Sequence, residues 1–289
     1  MEEHKRALSL LPERLHLAAE GCVHDKVEEF RLRLGREPVF LAAGTETSFS
    51  EQTVTAEELE CILERATGAS MHAAAQAMRE GYISFEGLRI GVCGTVLHRA
   101  GKMEGFQTVS SLAIRISREC KGMCERVITQ LYSLSFQNTL IVSPPGGGKT
   151  TALRDMIRGL SERGYRLGVV DERNELSATQ GAAARFDLGP CADILIGLNK
   201  AEASMLLLRT MNPQIIAMDE ITHEADGYAV EQITGCGVRL LATAHAADAG
   251  ELYRRPLYRR LLETHCFHYV LTVRQSAGKR NLSVERLEP

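Results

Sequence analysis

The chain has 289 residues, 44% of them hydrophobic and 25% charged, with a net charge of −3 and a pI of about 6.3. That is a globular composition, long enough for two domains of ordinary size. Nothing in that charge balance points to nucleic acid or an anionic membrane as a partner. No apolar run approaches the roughly 20 residues of a membrane-spanning helix, and the residues after Met1 lack the apolar core of a signal peptide. The eight cysteines are scattered from Cys22 to Cys266, without a C-x-x-C pair. They read as free, mostly buried thiols of a reducing cytoplasm.

In chain order, Leu8, Leu11, Leu15 and Leu17 give residues 3–20 helical spacing despite Pro12. Val27 to Leu34 alternates as a half-buried strand, with Phe30, Leu32 and Leu34 on one side and Glu29, Arg31 and Arg33 on the other. A turn at 35–38 returns Val39-Phe40-Leu41 as a hairpin. Thr55 and Glu58 fit a capping box that opens a helix with Leu59, Ile62 and Leu63 on its apolar side. Ser70 is placed to cap a second helix, Met71 to Arg79. Short strands are expected at 82–84, 88–96 and 112–116, with a turn at Ala100-Gly101-Lys102. This first part, residues 1–125, reads as a smaller α+β domain.

From about residue 137 strands and helices alternate. Strands are expected at 139–143, 166–170, 214–218 and 238–243, and helices at 150–162, 200–211 and 225–235. That order implies a mainly parallel sheet with right-handed crossovers. Residues 267–274 and 282–287 look like a terminal hairpin.

Within this part, Leu140-Ile141-Val142 runs into Ser143-Pro144-Pro145-Gly146-Gly147-Gly148-Lys149-Thr150-Thr151, and then into a helical pattern. Strand, glycine-rich turn, Lys-Thr and helix make a phosphate-binding loop. The glycines let successive N–H groups point at an anion, and the helix N-terminus adds its own. Lys149 reaches the β- and γ-phosphates and the Thr150 hydroxyl ligates Mg²⁺, so the expected cofactors are ATP and Mg²⁺. Ser143 stands where G-x-x-x-x-G-K-[ST] has its first glycine. The fold class expected for residues 126–289 is therefore an α/β P-loop ATPase domain of the RecA/AAA-like kind.

Ile215-Ile216-Ala217-Met218 is an apolar strand that ends in Asp219 and Glu220. Ligands of such folds bind at the carboxyl ends of strands. Asp219 reads as a metal ligand, directly or through water, and Glu220 as the group that activates the attacking water. A second strand runs into Asp171-Glu172-Arg173-Asn174-Glu175, offering Glu172 and Glu175 to the γ-phosphate. A third ends in Thr243-Ala244-His245, where hydroxyl or imidazole could sense that phosphate. The plainer alternative in each case is a solvated polar strand exit. His223-Glu224 lacks the second histidine of H-E-x-x-H, so no zinc site is expected. Cys266 and His268 sit in an apolar strand pattern and read as structural. Developing charge on the γ-phosphate also needs a cation. Arg33, Arg89, Arg115, Arg118, Arg173 and Arg209 are candidates, with Arg115 and Arg209 taken as catalytic. Taken singly, each reads more readily as a surface ion-pair partner. As a group they suggest an arginine supplied across a domain or subunit boundary.

The loop at 143–151, Val169 to Glu175, Leu208 to Pro213, the strand to Glu220 and Ala242 to His245 together resemble secretion-type ATPases of the type II and type IV systems. The segment 171–175 looks like their aspartate box and His245 like their histidine box. The stretches 28–38, 79–84, 89–94 and 112–116 narrow the resemblance to the sporulation stage III AA family of endospore-forming bacteria, over nearly the whole chain. Thr222-His223-Glu224 depart from it, since the family more often continues Gly-Arg after the glutamate. The resemblance implies a cytoplasmic mother-cell ATPase serving the channel to the forespore. It also implies a homo-oligomeric ring, expected as a hexamer, peripheral at the membrane through membrane proteins of the channel complex and without a transmembrane segment of its own. Two alternatives stand beside it. A nucleic-acid-binding P-loop ATPase is disfavoured by the net charge, the absence of tryptophan and 5% aromatics. A nucleotide-dependent scaffold with little turnover would not need Glu220.

Overall fold

A computed structural model describes residues 2–22, 27–42, 44–68, 79, 81–99, 102–117, 119–132, 135–144, 146–179, 183–276 and 279–287. The chain forms two compact units, Met1–Arg118 with Ala178–Arg185, and Glu119–Ser177 with Phe186–Pro289.

The first unit begins with α1 (Glu2–Leu10) and α2 (Glu13–Glu20). The single helix expected over 3–20 is broken at Leu11-Pro12, because proline has no N–H to continue the first helix and its ring crowds the preceding turn. Next come β1 (Val27–Arg33), β2 (Val39–Ala42), β3 (Thr45–Ser48), α3 (Ala56–Thr67), β4 (Tyr82–Phe85), β5 (Leu88–Arg99) and β6 (Lys102–Ile116). The strands form an antiparallel sheet in the order β3-β2-β1-β6-β5-β4. The expected capping box is present. Glu58 N–H donates to Thr55 Oγ1 at 3.3 Å, and Thr55 N–H donates to Glu58 Oε2 at 3.0 Å. Leu59 and Ile62 of α3 pack with Phe30, Leu32, Ile90 and Ile114 of the sheet. Arg185 joins this unit through an ion pair with Glu86 at 2.9 Å. The helix expected at 71–79 and the turn at 100–102 lie outside the described residues, except for Arg79 and Lys102.

The second unit contains α4 (Glu125–Tyr132), β7 (Thr139–Ser143), α5 (Lys149–Glu162), β8 (Leu167–Asp171), β9 (Ala192–Ile196), α6 (Lys200–Thr210) and β10 (Ile215–Met218). It continues with α7 (Glu224–Gly235), β11 (Arg239–His245), α8 (Ala249–Leu252), α9 (Pro256–Glu263), β12 (Tyr269–Ser276) and β13 (Lys279–Arg286). The sheet order is β13-β12-β7-β11-β10-β8-β9. All its pairs are parallel except the β12–β13 hairpin. The strands β7, β8 and β10 are buried along their whole length. Their alternate residues serve opposite faces. Leu140, Val142, Ile216 and Met218 pack with α6, α7 and α9, whereas Ile141, Ile215 and Ala217 pack with α4 and α5. A parallel sheet covered on both faces requires such unbroken apolar runs.

Candidate functional site

Parallel register lines up the strand ends. Ser143 of β7 lies opposite His245 of β11, Ala242 of β11 opposite Met218 of β10, and Met218 opposite Val170 of β8. The loops that leave these strands therefore meet at one sheet edge.

After β7 the buried Ser143 turns its hydroxyl to the Pro144 carbonyl at 2.8 Å, and Gly147 N–H donates to the same oxygen at 3.0 Å. A Cβ on Gly147 would lie 2.0 Å from Ser143 Oγ. A side chain at the fifth position would therefore require the Ser143 hydroxyl to move off the Pro144 carbonyl. Gly148 caps α5 at φ +97, a conformation open to glycine at little strain. The first intrahelical N–H is that of Ala152, to Gly148 O at 2.9 Å. The N–H groups of Lys149, Thr150 and Thr151 remain for an anion at the helix's positive end. Pro145 lies outside the described residues.

Around this loop the polar side chains interlock. Thr150 Oγ1 donates to Asp219 Oδ2 at 2.9 Å. The Thr243 hydroxyl donates to Asp219 Oδ1 and accepts the Glu220 N–H at 2.8 Å. That bond steadies Glu220, which sits at φ +52, a left-handed conformation that disfavours a non-glycine residue by ~1–2 kcal/mol. Glu220 Oε1 lies 2.9 Å from His245 Nε2, and Lys149 Nζ lies 3.0 Å from the same nitrogen. Arg173 Nη1 lies 3.7 Å from Glu220 Oε2. One imidazole nitrogen cannot both accept from the ammonium and donate to the carboxylate. His245 is therefore poised between the two partners.

The acidic exit of β8 is built differently. Asp171 is 3% exposed, and its carboxylate accepts four hydrogen bonds. Oδ1 takes Glu175 N–H at 2.8 Å and Leu176 N–H at 3.0 Å, and Oδ2 takes Ser177 N–H at 2.8 Å and Ser177 Oγ at 2.7 Å. Asp171 thereby folds the loop that presents Glu172 and Glu175. Beneath it, the Arg154 guanidinium stacks 4.2 Å above the Phe186 ring and donates to Glu175 O at 3.3 Å. Burial pushes the Arg154 pKa down, against the pull of Asp219, Asp171 and Glu175. A shallow pocket opens here, lined by Glu172, Arg173, Glu175, Lys200, Asp219 and Glu220.

Of the remaining candidates, Arg115 pairs with Glu29 at 3.1 Å and Arg33 with Glu46 at 3.0 Å, both within the first unit. Arg89 lies 4.2 Å over the Tyr82 ring. Arg209 is in the last turn of α6, about 13.5 Å along the axis from Lys200 at ~1.5 Å per residue. Arg118 lies outside the described residues. His223 and Asp226 cap α7, and Glu224 pairs with Arg260 at 2.8 Å. The thiols are all free, but only Cys124 and Cys266 are buried, so the expectation of mostly buried cysteines is corrected. Most lie on loops, exposed positions or element edges, where no apolar periodicity draws them inward.

Sequence reasoning missed Arg154, Lys200 and Asp226. Arg154 was visible only as a charge inside an otherwise apolar helix pattern, and the other two as ordinary helix-start residues. Among the described residues no group of three or more His, Cys, Asp or Glu is arranged to hold a metal, and no helix is long and apolar enough to cross a membrane. Mg²⁺ needs only one or two protein oxygens beside phosphate and water. The touching pair Thr150 Oγ1 and Asp219 Oδ2 fits that requirement.

The family model described as "Sporulation stage III, protein AA" matches residues 1–283. Stage III sporulation protein AA of Bacillus subtilis (strain 168) is 33% identical over 289 residues, covering 98% of this chain and 91% of the relative. Among solved structures, the pilus retraction motor PilT with bound ADP superposes with a TM-score of 0.64 at 16% identity, over 96% of this chain and 82% of that one. The Legionella pneumophila ATPase DotB superposes with a TM-score of 0.59 at 15% identity, over 90% and 76%. At such identities the structural likeness is one of fold, and the shared fold is that of P-loop proteins.

Proposed function

The chain belongs to the sporulation stage III protein AA family, and on that premise we propose that it is a Mg²⁺-dependent ATPase working as a secretion-like motor. The observation that carries this reading is the interlocked set Thr150–Asp219–Thr243 and Lys149–His245–Glu220 around a phosphate loop. Lys149 and the N–H groups of the loop bind the phosphates, and Thr150 with Asp219 would hold Mg²⁺. The metal supplies charge neutralisation on the β- and γ-oxygens. When the phosphates draw Lys149 away, His245 Nε2 no longer accepts from it and, in the tautomer protonated there, donates to Glu220. Glu220 is then aimed as general base at the attacking water. Glu172 and Glu175 border the γ-phosphate end of the pocket.

In the same reading the protein assembles as a homo-oligomeric ring, with six subunits expected. Arg115 or Arg209 then reaches a neighbour's nucleotide. The ring works in the cytoplasm on membrane proteins of the sporulation channel. Light scattering of wild type and Lys149→Ala, with and without a non-hydrolysable ATP analogue and Mg²⁺, beside the steady-state ATPase rate of each, tests both parts. Analogue-driven assembly of wild type alone supports the motor. Assembly of both proteins regardless of nucleotide contradicts it.

A further inference from the structure

Lys200 is a buried cation that the hydrolysis scheme leaves unused. It is the first residue of α6, where the positive end of the helix disfavours a cation, and its side chain is only 8% exposed. An ammonium removed from water needs close carboxylates to hold it there. Lys200 Nζ lies 2.7 Å from Glu172 Oε2 and 3.8 Å from Asp226 Oδ2. Those carboxylates belong to different elements, a loop and a helix start. Glu172 opens the loop after β8. Asp226 Oδ2 accepts Thr222 N–H at 2.8 Å and His223 N–H at 3.0 Å, and so fixes the turn just after Glu220.

One cation thus ties the two acidic strand exits together on the wall of the pocket that Glu172, Asp219 and Glu220 line. We propose that Lys200 is a positioning residue for hydrolysis, holding Glu172 and, through Asp226, the Glu220 turn at a fixed separation. Without it Glu172 and Asp226 lose the cation they share, and their like charges move the Glu172 loop and the Thr222–His223 turn. The inference rests on the ATPase reading.

The test uses the full chain as wild type, Lys200→Met, Lys200→Arg, Glu172→Gln and the double variant Lys200→Met/Glu172→Gln. Lys200→Met is expected to lower kcat on the order of 10–100-fold, while ADP affinity stays within about twofold, because Lys200 acts on the transition state and not on the phosphate loop. Lys200→Arg restores much of the rate. The double variant loses less than the product of the two single losses, since part of the Lys200 effect runs through Glu172. Multiplying losses, or an unchanged kcat in Lys200→Met, overturn the proposal. If Lys200→Met does not fold, Asp226→Asn cuts the same tether from the other side, and a retained kcat there is equally contradictory. Amide exchange supplies a readout without turnover. Lys200→Met should speed exchange at both Glu175–Ser177 and Thr222–His223 and leave the phosphate loop alone. A wild type that never hydrolyses ATP sinks the ATPase reading, whereas unchanged exchange sinks the tether.

Discussion

Asp171 and Asp219 occupy equivalent places at the ends of neighbouring apolar strands, yet they do different work. The Asp171 carboxylate is buried and consumed by its own loop, with three backbone N–H groups and one hydroxyl upon it. The Asp219 carboxylate is half-buried and answers to side chains of two other elements, Thr150 of α5 and Thr243 of β11. The first makes a shape, and the second, on the proposed reading, joins a reaction centre. An acidic strand end is thus ambiguous until its hydrogen-bond partners are known.

Exchanging the two carboxylates for neutral groups breaks or sharpens that contrast. Asp219→Ala should lower ATP turnover about 10²–10³-fold, or ~3–4 kcal/mol in the barrier, with little change in Tm. A comparable loss of Tm would show that Asp219 is structural as well. Asp171→Ala should do the reverse, destabilising the fold by ~2–4 kcal/mol because it leaves buried N–H donors unpaired, read as a Tm lower by roughly 5–10 °C. Full stability of that variant would refute the loop-forming role. Thr243→Val removes one hydroxyl that serves both Asp219 and Glu220, and should reduce kcat about 10-fold while ADP affinity holds. A loss confined to ADP affinity would count against the role given to Thr243.

The smallest effect lies away from both strand exits and sets their baseline. Burial, reinforced by Arg239, His265 and Arg286, pushes the His268 pKa below its ordinary value. The unfolded chain then takes up the proton first as pH falls below about 6.5. The stability that His268 contributes is present above that pH and is lost as pH falls through the folded value. His268→Gln should flatten the acid side of a Tm-against-pH curve by no more than about 2 °C. An identical slope in both proteins would argue that other groups govern it.

What the sequence made legible was what lies in one piece. The glycine-rich loop at 143–151 is contiguous. The apolar runs of β7 and β10 can only be strands buried on both faces, and the capping box of α3 is a local exchange. Contacts between pieces were not legible. Thr243 could be seen as a hydroxyl at a strand end, but not as the bridge between Asp219 and Glu220, because that depends on parallel register. Lys200 and Asp226 start two different helices, and only the fold brings them together. Strand β9 was missed because Asp193 interrupts its apolar residues and the strand lies largely half-exposed at the sheet edge. Nothing in composition signals that Ala178–Arg185 leaves the second unit to join the first. That membership is settled by long-range packing.

The central claim is that the edge where β7, β11 and β10 end is a hydrolytic centre with Glu220 as its base. The most direct measurement sets ATP turnover beside ATP binding for wild type and Glu220→Gln in Mg²⁺. Turnover should fall by at least ~10²-fold in the variant while the Kd for ATP stays within about threefold, so that ATP is trapped unhydrolysed. Equal turnover in the two proteins, or an equal loss of ATP binding and turnover in the variant, would contradict the account.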